Sequence, residues 1–404
     1  MLKNKFPRVN YGMTVHNHKE INAVLGVLKS STQMGRNVFK FEDKVSKIFA
    51  KKYGIMTNSG SSAIYLALQA LDFPKGSNII TPALTFGTCV SSIVQNNLVP
   101  NFVDVDRRTL CINTKQIEKK INKKTVAILA PDLIGNICDW KLIKKIAKKY
   151  QLKIIHDSAD TLGAKLNDKP PSIYSDVSIT SFYGSHIING AGNGGMVLTS
   201  NKEIYNKIKL LRSWGRSSSI FADSESIENR FKISLDGIRY DNKFVFSELG
   251  YQMEPSEISA AFALEQLKKI NINTKKRILN FKKHIKFFSK YGEFFITPQQ
   301  NPNSITAWLA FPILIQENKY FSRTELQIFL EKRNIQTRVI FTGNILRQPG
   351  FKNIKCIGKK DEFIESDYVM KNGMLLACHH GLTSTQLNHI HVSIKNFLKN
   401  KIYK

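Results

Sequence analysis

The chain has 404 residues and a mass of 45.9 kDa, enough for a large domain and a smaller one. With 42% apolar and 23% charged residues it is no disordered chain, and no apolar run approaches the ~18 residues of a membrane span. Its 60 Lys and Arg against 31 Asp and Glu leave +29, yet the lysines fall in pairs on predicted helix faces, as in Lys51-Lys52 and Lys144-Lys145. No aromatic-interleaved basic stripe accompanies them, so the charge suits an anionic small ligand better than nucleic acid.

The first residues, Met1 to Arg8, contain no apolar stretch of a secretory leader, and a cytoplasmic protein is expected. Five cysteines (Cys89, Cys111, Cys138, Cys356 and Cys378) are too scattered for a disulfide framework or a zinc site. His379-His380 follows Cys378 but has no nearby carboxylate, and it reads as a loop pair rather than a metal site.

Taken in chain order, Phe41, Val45, Ile48, Phe49 and Tyr53 have helical spacing and predict a helix over 39–53. Asn58-Ser59-Gly60-Ser61-Ser62 opens a buried-looking helix. Short apolar runs then recur at Asn78–Thr81, Phe102–Val105, Val126–Ala130, Lys153–His156, Val177–Thr180 and Met196–Thr199. Helical patterns near 87–96, 115–121, 139–149 and 201–212 separate them. That alternation predicts an α/β domain with a mostly parallel sheet. After Pro255 come two long helices over 256–290, strands at Ala307–Ile315, Gln336–Ile340 and Met374–Ala377, and helices at 322–334 and 383–398. These predict a smaller α+β domain, with the division placed at 265/266.

Ligands of open α/β sheets collect beyond the carboxyl ends of the strands. Ser59 to Ser62, at a helix start, can cradle a phosphate or form a plain N-cap. Asp157 ends a strand, where a carboxylate can meet a metal, a ribose hydroxyl, a protonated ring nitrogen or its own loop. Ser181 and His186 follow the next strand, and His186 is either an acid/base or a structural loop residue. Gly190-Ala191-Gly192-Asn193-Gly194-Gly195 fits GxGxxG but precedes a strand, the wrong order for a dinucleotide fingerprint.

Together the helix-start Ser-Gly-Ser-Ser, the aromatic of Pro82-Ala83-Leu84-Thr85-Phe86, the strand-end Asp157 and the Ser181 to His186 loop form a series. It resembles the DegT–StrS family of pyridoxal-phosphate (PLP) enzymes acting on nucleotide sugars, from about residue 30 onward. The resemblance implies an aspartate aminotransferase-like fold and a homodimer with sites at the subunit interface. It implies that Gly60, Ser61 and Ser181 hold the cofactor phosphate and Asp157 the pyridine nitrogen. Phe86 would stack on the ring, Asp160 would lie near its 3-hydroxyl, and Gln252 would reach the partner's cofactor phosphate.

Aminotransferases of the family carry Lys in a Ser-Phe-x-x-x-Lys pattern; here Ser181-Phe182-Tyr183-Gly184-Ser185 ends in His186, and imidazole cannot bind PLP covalently. This substitution resembles the NDP-4-keto-6-deoxyhexose 3-dehydratases, which use the pyridoxamine form (PMP). Leu211-Arg212-Ser213-Trp214-Gly215-Arg216, Phe246-Ser247-Glu248-Leu249-Gly250-Tyr251 and Thr342-Gly343-Asn344-Ile345-Leu346-Arg347-Gln348-Pro349 agree with that subgroup, as does Gly237 to Phe244. One branch carries cysteines after Trp-Gly-Arg for an iron–sulfur centre and needs a reductase. Here Ser217-Ser218-Ser219-Ile220-Phe221 has none, so no such reductase is expected. The other branch resembles GDP-4-keto-6-deoxymannose 3-dehydratase and uses L-glutamate. It implies C3 deoxygenation of a GDP- or CDP-linked sugar with His186 as acid/base. Arg216, Arg239 and Arg347 are candidate pyrophosphate ligands, because Arg presents a planar fork of donors. Gln252, Asp132 and Asn193 depart from the subgroup pattern. Two rival readings are an aminotransferase drawing its lysine from elsewhere, such as Lys165, and a non-enzymatic basic binding protein.

Overall fold

The computed structural model describes residues 6–221 and 226–402; the start of the N-terminal run read above for a leader, residues 1–5, lies outside them. Among the described residues no helix is long and apolar enough to cross a membrane. The large sheet has seven strands: β1 (Tyr53–Thr57), β2 (Asn78–Pro82), β3 (Val99–Val103), β4 (Thr125–Pro131), β5 (Lys153–Asp157), β6 (Val177–Ser181) and β7 (Gly195–Thr199). Their spatial order is β1-β7-β6-β5-β4-β2-β3, and only β7 runs against its neighbours. Crossover helices cover both faces, as a parallel sheet requires. The strand pleat sorts the core: Ala127 and Leu129 face one apolar layer, Ile128 and Ala130 the other.

The expected helix over 39–53 ends earlier. Helix α2 spans Arg36–Ile48, and Tyr53 starts β1, a strand that the apolar spacing hid. Gly54 within it is required by crowding, since a Cβ there would sit 2.8 Å from the Glu42 carbonyl oxygen. Helix α1 (His18–Leu28) was also unforeseen; it opens with a capping box between Asn17 and Glu20. Helices α3 (Gly60–Ala70), α4 (Gly87–Gln95), α5 (Thr114–Lys120), α6 (Trp140–Lys149) and α7 (Lys202–Arg212) fall where periodicity put them.

Helix α8 (Glu257–Leu267) leads into α9 (Ile270–Phe288), so the expected division at 265/266 falls two residues before α8 ends. Beyond them a three-stranded antiparallel sheet orders β8 (Phe295–Ile296), β9 (Phe311–Ile315) and β10 (Gly373–Leu376). Helices α10 (Arg323–Lys332), α11 (Ile364–Asn372) and α12 (Ser384–Ile402) accompany that sheet. Val9 is buried in this second core and pairs with Ile335, so the N-terminal segment joins the C-terminal unit. The strand expected at Gln336–Ile340 is reduced to one bridge, Arg338 with Leu375. Its amides go elsewhere: Gln336 N–H donates to the Val9 carbonyl and Thr337 N–H to Glu331 Oε1.

Helix α2 has no side-chain cap of its own; Gly35 stands at its N-cap. The buried Glu257 carboxylate replaces it, accepting from the amides of Gly35 (2.8 Å), Asn37 (2.9 Å) and Val38 (2.9 Å). A carboxylate against a helix N-terminus satisfies orphan donors and the dipole together. Glu257→Ala is expected to destabilise the protein by about 3 kcal/mol, read as a fall in denaturation midpoint; an unchanged midpoint would remove that role.

Candidate active site

A cavity of about 460 Å³ opens at the carboxyl ends of the parallel strands. Gly60, Ser61, Phe86, Asp157, Asp160, Ser181 and His186 all line it, although they are dispersed over more than 120 positions of sequence. Ser59 caps α3, its hydroxyl accepting from the Ser62 amide at 3.1 Å. The amides of Gly60 and Ser61, in the first turn, have no carbonyl to meet within the helix and suit an anion. Gly60 must be glycine for this: a Cβ there would stand 2.8 Å from the Cβ of Ser181, which completes the cradle. The loop that matched GxGxxG closes the same corner, because a Cβ on Gly195 would meet the Ser59 backbone at 2.3 Å.

Asp157 ends β5 and is buried. Its carboxylate accepts from the Ala159 amide (3.0 Å) and from the Cys89 thiol (3.1 Å). Burial raises its pKa despite those bonds, so a cationic partner in the cavity would bring it back down. Asp160 accepts from the Ile134 amide at 2.9 Å, and burial, then the neighbouring Asp157 charge, push its pKa up to about 7. Phe86 is 52% exposed and offers an open aromatic face, its edge set against Phe341.

His186 Nδ1 lies 3.1 Å from the Ser181 carbonyl oxygen. A carbonyl only accepts, so Nδ1 carries the proton and Nε2 is left with its lone pair. Nε2 is 3.8 Å from Asp160 Oδ1. Burial, aided by the Arg277 charge and opposed by the Ser181 bond, pushes the imidazole pKa down to about 4. At neutral pH the ring is therefore a neutral base facing the cavity.

An anion cradle, a buried carboxylate awaiting a cation and a free aromatic face fit the phosphate, ring nitrogen and ring plane of a pyridoxal phosphate. Among the described residues no lysine lines this cavity. Lys165 is exposed, on the two-residue strand Lys165–Leu166 that pairs with Ser304–Ile305, away from the lining.

The remaining candidates are not brought to the cavity. Arg347 spends its fork on Asp367 (2.6 Å to each oxygen) and Asp361 (2.9 Å). Arg216 lies over the Trp214 ring at 4.3 Å, and Arg239 is exposed in the Ile233–Leu235/Ile238–Tyr240 hairpin. Gln252 is exposed and bridges Ser213. Of the residues that depart from the subgroup pattern, Asn193 lines the cavity, its Oδ1 accepting from the Gly194 amide. Asp132 lines it too, but its carboxylate is engaged by the Cys138 amide, the Trp140 indole, His156 Nε2 and the Thr161 hydroxyl, at 2.8 to 3.3 Å. Tyr11, Leu309 and Phe341 also line the cavity, and nothing in their local sequence marks them.

Asp160 and His186 have a joint effect on stability. Between about pH 4 and 6.5 the folded pair holds its proton on Asp160, whereas an unfolded chain holds it on the imidazole. Proton counts match, so the pair adds little pH dependence there. Alone, the raised carboxyl loses stability as pH rises from about 4 to about 7, and the depressed imidazole gains it from about 4 to 6.5. Asp160→Asn removes the first and leaves the second. The variant is therefore expected to gain melting temperature relative to wild type as pH rises through that window, by differential scanning calorimetry. A constant difference would refute the proton placement.

Comparison with known proteins gives the family. Residues 15–395 match the model of the DegT/DnrJ/EryC1/StrS aminotransferase family. The lipopolysaccharide biosynthesis protein RfbH of Salmonella typhimurium is 33% identical over 90% of this chain and 85% of its own. GDP-4-keto-6-deoxy-D-mannose 3-dehydratase of Yersinia pseudotuberculosis is 30% identical over 92% of this chain and 94% of its own. The E. coli GDP-4-keto-6-deoxy-D-mannose 3-dehydratase, solved with bound hydrated PLP, superposes with a TM-score of 0.86 at 26% identity, covering 96% of this chain and all of that one. The large-domain architecture, the cavity at its strand ends and these matches together establish that the chain belongs to the DegT/DnrJ/EryC1/StrS aminotransferase family.

Proposed function

We propose that the protein binds PMP and PLP and removes the C3 hydroxyl of a nucleotide-linked 4-keto-6-deoxyhexose, with L-glutamate as amino donor. The observation that carries this reading is the imidazole of His186 in a cavity that no lysine lines among the described residues, its Nε2 unprotonated and turned inward. When bound, the cofactor supplies an electron sink and, in its amino form, a nitrogen that can engage a ketone.

The chain's own residues divide the remaining work. The Gly60 and Ser61 amides and the Ser181 hydroxyl would hold the phosphate, and Asp157 would keep the ring nitrogen protonated. Phe86 covers the ring face. His186 Nε2 would take the proton from the cofactor carbon C4′, and its lowered pKa suits a base at neutral pH. Once protonated, the imidazolium lies 3.8 Å from Asp160, whose carboxylate stabilises it. The overall balance closes without a further reductant: the sugar loses one oxygen atom, and glutamate leaves as 2-oxoglutarate and ammonia.

The relatives' names support a GDP-linked substrate, with a CDP-linked one as the alternative. Phe244, Phe246 and Leu249 are strongly exposed on the stretch between Arg239 and Gln252. That apolar run supports a homodimer in which Arg216, Arg239 and Gln252 serve the neighbouring site. An aminotransferase reading draws on the family's general activity, but a covalently held cofactor would need a lysine in the cavity.

His186→Asn is expected to abolish deoxygenation while PMP still binds, measured by product mass spectrometry and absorbance titration of the cofactor. Full turnover in that variant would remove His186 from the chemistry.

A further inference from the structure

Helix α9 carries a buried cation that makes no ion pair among the described residues, although the Asp160 charge acts on it from a distance. Arg277 is fully buried, and among the described residues no carboxylate forms an ion pair with it. Its guanidinium instead donates to neutral acceptors: Nη2 to the Ser185 carbonyl (3.0 Å), Nη1 to those of Trp308 (3.2 Å) and Leu309 (2.9 Å), Nε to His380 Nδ1 (3.2 Å). Taking a charge out of water without a contacting ion-pair partner costs several kcal/mol, and an apolar side chain would fill the volume without that cost. Such an arrangement calls for a use beyond filling space.

The use is visible one turn earlier on the helix. Asn273, also buried, donates from Nδ2 to the Ile187 carbonyl at 3.3 Å. Asn273 and Arg277 stand four residues apart and share a helix face. Their two acceptors, the carbonyls of Ser185 and Ile187, are the ones that flank His186 in the chain. The loop is further held by Thr14, whose hydroxyl donates to the Gly184 carbonyl at 2.8 Å, and by close packing of Gly12, where a Cβ would meet that of Ser185 at 2.7 Å. The same guanidinium fixes the carbonyl of Leu309, which lines the cavity wall.

We propose that Asn273 and Arg277 act as a clamp that positions His186, holding the backbone on both sides so that Nδ1 reaches the Ser181 carbonyl and Nε2 faces the cavity. Neither residue touches the reacting atoms; both are positioning residues. This deepens the proposed function and rests on it only for the effect on turnover. The orientation of the ring is a property of the protein without its cofactor.

The test uses Asn273→Ala, Arg277→Lys and Arg277→Met in the full chain. Nitrogen-15 histidine spectra, with His186 assigned through His186→Asn, report the tautomer directly. Wild type is expected to show His186 protonated on Nδ1 alone. Asn273→Ala and Arg277→Lys are expected to show a mixture of tautomers, a kcat lowered about 10- to 100-fold and an unchanged dissociation constant for PMP. Lysine retains the charge but not the fork, so full recovery in Arg277→Lys would overturn the clamp in favour of charge alone. Should Arg277→Met fail to fold, Asn273→Ala carries the test; a folded Asn273→Ala with wild-type tautomer and kcat would overturn the proposal. If wild type performs no deoxygenation yet the tautomer shifts as described, the clamp stands and the proposed reaction falls.

Discussion

Buried charge organises this molecule. Asp157 and Asp160 lose most of their hydration near the strand ends, and among the described residues neither gains an ion-pair partner closer than the 3.8 Å from Asp160 to His186. Arg277 is buried against the His186 loop and donates to carbonyls in place of a carboxylate. Desolvation shifts these groups in directions that leave the cleft with a neutral imidazole, a carboxyl that titrates near neutrality and a carboxylate suited to a cationic ring. None of this serves stability, because apolar residues would pack the same space at lower cost. It serves a ligand that carries a phosphate at one end and a basic nitrogen at the other.

The fold is arranged to deliver that cleft. Strands β4, β5 and β6 run in parallel, so Asp132, Asp157 and Ser181 emerge at one edge. The N-terminus of α3 arrives beside them, and the antiparallel β7 brings the glycine loop back against Ser59. Helix α9 then ties this edge to the C-terminal unit through Arg277 and through Asn280, which donates to the His379 carbonyl at 3.0 Å.

Much of this was legible in the sequence, and the gaps have physical causes. The runs of β2 and β4 to β7 were readable because strands buried on both faces are rich in apolar residues, whereas β3 starts three residues before its expected run at Phe102–Val105, since Pro100 and Asn101 interrupt its apolar pattern. Strand β1 was not, since Lys51-Lys52-Tyr53-Gly54 breaks any run and Tyr53 happens to continue the spacing of α2. Site residues that sit at strand ends or helix starts, such as Asp157, Ser181 and Gly60, carry a local signal. Tyr11, Leu309 and Phe341 reach the cavity only through tertiary packing and carry none. Arg277 was masked by Lys275-Lys276, which make its helix turn read as a solvated basic face. The three arginines singled out for pyrophosphate show the limit of residue type as a guide: Arg347 has the right fork, but two aspartates of its own unit already fill it.

The central claim is that this cavity deoxygenates a sugar rather than aminating it. The direct measurement is mass spectrometry of the product after the purified protein is incubated with PLP, L-glutamate and GDP-4-keto-6-deoxymannose, and in parallel with the CDP-4-keto-6-deoxyglucose analogue. The account predicts a sugar lighter by one oxygen and free of added nitrogen, with 2-oxoglutarate and ammonia formed in equal amounts. A product that retains its C3 oxygen and gains an amino group would contradict it.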